Sequence, residues 1–184
     1  MSGPVRRRRD GTVELDLEPA AVSVLRGVLT EMLDLLEPEE GPPPSDPLSA
    51  ALAIGVSTAP PEDPALRRLL PDAYPDDPEA SGDFRRYTEL GLRERKRTAA
   101  STALASLPAE GEEPRGPLRL RHDVVLAWLG ALNDARLALG TRLGVDEDWE
   151  ATASRLSPDD PRQYAYAVYE FLTDVQELLV RALG

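Results

Sequence analysis

The chain has 184 residues, 41% of them hydrophobic and 29% charged, which is the size of one ordinary domain with enough apolar content to build a core. It contains no cysteine and one histidine, which excludes disulfides, thiolate chemistry and the usual two- and three-histidine metal sites. Its formal charge of -12 disfavours indiscriminate binding to nucleic acid or anionic membrane, and no uncharged apolar run reaches the roughly 18 residues that a membrane span needs.

In chain order, residues 1–17 read as a β-hairpin. Segments 5–9 and 12–17 flank Asp10-Gly11, a two-residue turn signal, and Val13, Leu15 and Leu17 alternate with Glu14 and Asp16. The basic start at 1–9 is followed by charged residues where a signal peptide would be apolar, so a cytoplasmic location is expected. A helix is expected over 18–36, with Val22, Leu25, Leu29, Met32 and Leu36 on one stripe.

Residues 37–77 form a proline- and acid-rich loop with short helices at 47–54 and 64–70. The prolines have a pattern. Asp46-Pro47, Asp63-Pro64, Asp77-Pro78 and Asp160-Pro161, with Glu18-Pro19 as a weaker copy, place an N-cap carboxylate before a residue that needs no N–H. A helical stretch covers 78–107, with a break expected near 88–91 where Thr88 could cap a second segment. A third strand follows at 118–121, where Arg119 and Arg121 suit cross-strand pairing with Glu14 and Asp16. Helices then run over 123–144, with Asp123 as N-cap, and over 160–184, with Tyr164, Val168, Phe171, Val175 and Leu179 as the core stripe. The expected fold is mainly α: one domain, a helical bundle closed at one edge by a small two- or three-stranded antiparallel β-sheet.

Candidate sites each carry two readings. Arg6, Arg7, Arg8 and Arg9 could grip phosphates, or alternate members could line the wet face of a strand while some pair with the acidic loop. Arg86, Arg93 and Arg97 share a face of an unbroken helix and could dock an acidic partner, or simply be solvated. Asp146, Glu147, Asp148 and Glu150 could meet a hard cation, but calcium-loop spacing is missing and the acidic first turn of a helix containing Trp149 accounts for them. His122 beside Asp123 has no nucleophile elbow or phosphate loop to work with. No catalytic, cofactor-binding or metal residue is assigned, and no cofactor is expected.

Arg136 interrupts the apolar stripe of its helix, so a structural ion pair with Glu170, Asp174 or Glu177 is expected. Tyr166, Tyr169, Thr173 and Val180 form a second, semi-apolar face that reads equally as an interface or as a wide core. Lys96 is the only lysine against twenty arginines, which reads as codon bias. The charge is dipolar, with no basic residue between Arg26 and Arg67, so a charged protein partner or a homodimer fits this distribution.

Several segments together resemble an actinobacterial family of uncharacterised helical proteins. They are Arg7-Arg8-Arg9-Asp10-Gly11, the run from Asp63-Pro64-Ala65-Leu66 to Asp72-Ala73-Tyr74, and Phe84-Arg85-Arg86. The longest is Trp128-Leu129 with Ala131-Leu132-Asn133-Asp134 and the run from Arg136-Leu137 to Gly144-Val145. The family's best-described branch is an oxidative-stress transcriptional regulator, AosR. The resemblance implies a non-enzymatic cytoplasmic regulator acting through a stress sigma factor and RNA polymerase. Family members are often encoded near a Clp protease adaptor, which makes an adaptor for regulated proteolysis the alternative; a carboxylate- and metal-dependent enzyme is a third reading. The branch's redox switch uses a Cys-x-x-x-Cys pair, which this chain lacks. Direct sequence-specific DNA binding is not expected, because the charge opposes it and no recognition helix stands out.

Overall fold

The computed structural model describes residues 2–38, 58–112, 114–157 and 159–184. The short helix expected at 47–54 lies outside the described residues. In chain order the elements are β1 (Ser2–Arg7), β2 (Val13–Leu17), α1 (Pro19–Leu35), α2 (Pro64–Leu69), α3 (Pro78–Ala105), β3 (Leu118–Leu120), α4 (His122–Leu143), α5 (Trp149–Ser154) and α6 (Arg162–Leu183). The architecture is mainly α with a three-stranded antiparallel sheet in the order β1-β2-β3. Among the described residues no helix is long and apolar enough to cross a membrane.

Two aspartate–proline pairs, at 63–64 and 77–78, cap helices as expected; Asp46-Pro47 lies outside the described residues, Glu18 holds the N-cap of α1 without a side-chain cap bond, and Pro161 rather than Asp160 holds the N-cap of α6. Asp63 accepts from the Leu66 amide at 2.9 Å and Asp77 from the Ala80 amide at 3.0 Å, with proline in the first turn of α2 and α3. Asp160 accepts from both the side chain and the amide of Arg162, and these bonds lower its carboxyl to about 2. Gly144 ends α4 at φ +65°, where its missing Cβ removes the left-handed penalty.

Three local expectations change. The hairpin turn is Arg8–Gly11, closed by the Gly11 amide on the Arg8 carbonyl at 3.0 Å, with Gly11 at φ +83°. Asp10 is occupied with the Thr12 amide and hydroxyl, at 3.0 and 2.7 Å, so strand pairing starts at Arg7–Val13 and a two-residue loop does not form. Secondly, α3 is unbroken, because Thr88 bonds back to the Phe84 carbonyl at 2.8 Å within the helix rather than capping a new one. Thirdly, Arg121 holds the N-cap position of α4, and Asp123 sits in the first turn, paired with Arg121.

The core runs from β2 through α1, α4 and α6. Val13, Leu15, Leu25, Leu29, Trp128, Leu132, Leu172 and Leu179 are fully buried there. Trp128 keeps its indole N–H satisfied by donating to the Ser106 hydroxyl at 2.8 Å. Helix α4 packs against α1, α2, α3 and α6, and α6 also packs against β1. Across the α3–α4 interface Lys96 Nζ meets Asp134 Oδ1 at 2.6 Å, both side chains being largely buried. The chain's single lysine therefore has a structural role.

Removing one member of that pair leaves an uncompensated charge. Lys96→Ala or Asp134→Ala is expected to lower the unfolding free energy in urea titrations by roughly 3 kcal/mol, while the apolar double variant Lys96→Met with Asp134→Leu recovers most of it. Asp160 has its pKa below the unfolded value, so its contribution is present above about pH 4 and is lost as pH falls towards 2. Carboxyl-carbon NMR titration should place its midpoint near 2, and Arg162→Ala should return it towards the ordinary aspartate range.

Candidate functional site

The four arginines of the hairpin separate by strand alternation. Arg6 on β1, Glu14 on β2 and Arg119 on β3 are direct cross-strand partners and share one face of the sheet. Glu14 is buried between Arg8 Nη2 at 2.7 Å and Arg119 Nε at 3.2 Å, and the bond from Arg8 holds its carboxyl below the usual range. Arg7 donates to the Leu183 carbonyl at 3.2 Å, tying β1 to the end of α6. Arg6 and Arg9 are exposed and meet no carboxylate among the described residues. The sheet thus presents an arginine row with one internal counter-ion.

On α3, the shared basic face of Arg86, Arg93 and Arg97 is not what the fold displays. Arg86 is exposed, but Arg93 is buried and Arg97 half-buried, because α3 uses them to hold its neighbours. Arg93 Nη2 lies 2.9 Å from Glu89, which also holds the buried Arg85 at 2.6 Å. Arg85 donates to the Leu70 carbonyl at the end of α2 and pairs with Asp72 at 2.7 Å. Arg97 donates to the Leu33 carbonyl at 3.0 Å and pairs with Glu37. Helix α1 has no basic residue in its last turn, so arginines from α3 complement its negative end.

Arg136 faces α6 as its spacing suggested, yet the expected ion pair does not form. Its Nε donates to Thr173 Oγ1 at 2.9 Å and its Nη1 to Gln176 Oε1 at 2.7 Å, while the guanidinium lies 5.4 Å from the centre of the Tyr169 ring. No carboxylate lies within ion-pair distance of it among the described residues. Glu170, Asp174 and Glu177 are exposed on the outer side of α6, and Glu177 pairs with Arg181. The brace is a cation held by neutral acceptors and a π face.

Tyr166 is internal and Tyr169 half-buried against Trp149 and α4. Tyr166 is buried and donates to the Leu143 carbonyl at 3.2 Å, with Trp149 stacked on it at 6.0 Å. Trp149 meets Tyr169 edge-on at 5.2 Å, and Gly140 lets that ring lie against α4, since a Cβ there would stand 3.2 Å from it. The acidic turn before α5 is what brings Trp149 over both rings. Conversely Tyr164, expected in the core stripe, is 69% exposed. The sequence signal that would have found this arrangement is the stripe Tyr166, Tyr169, Thr173 and Gln176 read together with Gly140 and Trp149.

His122 is exposed at the first position of α4. Among the described residues no group of three or more His, Cys, Asp or Glu side chains converges as metal ligands. A groove of about 520 Å³ does open between α1, α4 and α6, with an apolar floor that includes Val24, Val28, Met32, Leu139 and Val168. No sequence pattern announced it, because its walls come from three helices, with α1 about 100 residues before α4 and α6 beyond both.

These features define a mainly helical domain whose buried charges fasten elements together and whose open surfaces are an arginine row and an apolar groove. Residues 2–183 match the family described as a domain of unknown function, DUF2017, and the chain belongs to that family. It is 34% identical over 203 residues to the oxidative stress regulator AosR of Mycobacterium tuberculosis, covering 99% of this chain and 90% of the relative. The AosR of Mycobacterium bovis gives the same identity and coverage. A Mycobacterium leprae chain that carries the AosR name is 36% identical over 179 residues, covering 90% of this chain and 79% of that one. No solved structure matches the chain.

Since neither Thr173 nor Gln176 titrates, the contribution of Arg136 should not depend on protonation. Arg136→Ala is expected to lower the unfolding free energy by about 2 kcal/mol, with the same loss at pH 7 and pH 4.5. Paired urea titrations measure this; a loss that fades on acidification would reveal a carboxylate partner.

Proposed function

We propose that this chain is a non-enzymatic, cytoplasmic regulator of the stress response that acts through protein contacts on the transcription machinery, a sigma factor with RNA polymerase. The observation that carries this reading is the similarity to the mycobacterial oxidative stress regulators, which extends over nearly the whole chain. The chemistry is compatible with it. Most buried charged groups are engaged in holding elements together, and the arginine row with Arg6 and Arg9 is small against a net charge of -12. Such a surface suits an acidic protein segment better than a nucleic-acid backbone, which would call for a basic domain.

Affinity capture from native cells with mass spectrometry tests the role. Sigma factor and polymerase subunits are the expected enrichment; Clp components without them would favour the proteolysis adaptor instead. The isolated chain is expected to bind promoter DNA only weakly, in a salt-sensitive and sequence-blind way, and nanomolar binding to a defined promoter at physiological salt would overturn that.

Redox behaviour separates this chain from a thiol sensor. It has no cysteine, and Met32 is only 4% exposed in α1, where mild peroxide reaches it slowly. Affinity for a captured partner, held reduced, should therefore be the same in mild peroxide and in dithiothreitol. A reversible tenfold change, about 1.4 kcal/mol, that tracks oxidation of this chain would refute it.

A further inference from the structure

The wall of the groove on α1 runs from Ser23 to Leu35, a length of about 18 Å or three helical turns. Ala135 and Ala138 on α4 and Ala165 on α6 leave it shallow enough for another backbone to approach closely. Gly27 lies in the middle of α1, where glycine weakens a helix relative to alanine, and a Cβ built on it meets nothing within 4 Å. The chain's own packing therefore gives no reason for a glycine there, whereas an external helix crossing at that point would.

The rim has a sign. Glu31 and Asp34 stand exposed along the α1 wall and meet no cation among the described residues. Arg142, on the α4 wall, is already placed 3.5 Å from Asp63. The opposite side carries the exposed Tyr164 ring, an amphipathic anchor typical of contact surfaces.

We propose that this groove is the docking site for an amphipathic α-helix of a partner protein, one with an apolar stripe at three- and four-residue spacing flanked by arginine or lysine. This deepens the reading of the chain as a regulator that works through protein contacts, and rests on it. The mode is helix-in-groove recognition, with the stripe seated over Gly27 and the alanines and the basic flank set against Glu31 and Asp34. Other occupants suit the rim less well. Two copies meeting at this face would bring two acidic rims together, and a purely apolar small molecule would leave Glu31 and Asp34 unused. The chain's own residues 39–57 include Glu39, Glu40 and Asp46 and no basic residue, the wrong sign for this rim.

The test uses the full chain and a fluorescein-labelled 18-residue peptide with leucines at helical spacing and arginines beside them. A companion peptide has glutamate in place of each arginine. By fluorescence polarisation the arginine peptide should bind at least tenfold tighter than the glutamate peptide, and the double variant Glu31→Lys, Asp34→Lys should invert that order. Gly27→Leu should weaken binding at least tenfold with an unchanged or raised melting temperature, which separates groove filling from misfolding. No binding of the arginine peptide, equal binding of both, or an order unmoved by the charge reversal overturns the proposal. So does a wild-type dimer in light scattering that Gly27→Leu converts to monomer, since the occupant is then a second copy. Capture with the Gly27→Leu chain distinguishes the two levels. Transcription subunits retained in full mean that the groove is wrong and the regulatory reading stands. Charge-dependent peptide binding by the wild-type chain, with no transcription subunits captured by that wild-type chain, means that the groove stands and the regulatory reading falls.

Discussion

Helix α4 is enclosed by α1, α2, α3 and α6, so most of its circumference must be apolar, yet it carries Asp134 and Arg136 within that enclosure. Two residues apart on a helix means about 200° of rotation, so the two side chains leave on opposite sides. Asp134 reaches Lys96 on α3, and Arg136 reaches Tyr169, Thr173 and Gln176 on α6. Any other rotation of α4 about its axis would bury at least one of these groups without a partner, at a cost of several kcal/mol. The pair therefore sets the orientation of the central helix between its two largest neighbours, and the apolar contacts of Trp128, Leu132 and Ala138 follow from it.

The same economy governs α1. It begins against the sheet and ends on a turn whose carbonyls are held by Arg93 and Arg97 from α3. Its middle is fixed by Arg26, which donates to the Pro108 carbonyl. Fastened at these points, α1 can lie open to solvent along the side facing α6, and a groove persists there without destabilising the core beneath it. Charges that hold elements have carboxylate or neutral partners, whereas Arg6, Arg9, Glu31 and Asp34 are exposed and unpaired among the described residues. That division separates residues whose loss would unfold the chain from residues whose loss would only alter what it binds.

The chain belongs to a family whose curated relatives include named oxidative stress regulators. The absence of cysteine sets this chain apart from a thiol-based sensor while leaving its contact surfaces untouched.

Much of the fold was legible in local patterns. The aspartate–proline pairs at 63–64 and 77–78, the alternation of Val13, Leu15 and Leu17, and the left-handed Gly144 each specify a local conformation through a cap, a pleat or a missing Cβ, which needs no distant partner. The pairing of Glu14 with Arg119 was also readable, since opposite charges on alternating strands meet when the strands align. Which residues are buried was less legible. Tyr164 and Tyr166 both fit an amphipathic helix, and only the return of Trp149 across α6 decided that Tyr166 goes inside and Tyr164 stays out. Arg93 and Arg97 became internal because the end of α1 lacks its own cations, a need that no window of sequence around α3 contains. The groove likewise exists only where α1, α4 and α6 converge. By itself the sequence determined most of the elements and several of their ends, because those depend on backbone chemistry within a few residues. The tertiary structure alone decided partners and exposure, because those depend on which distant helix arrives to compete for each side chain.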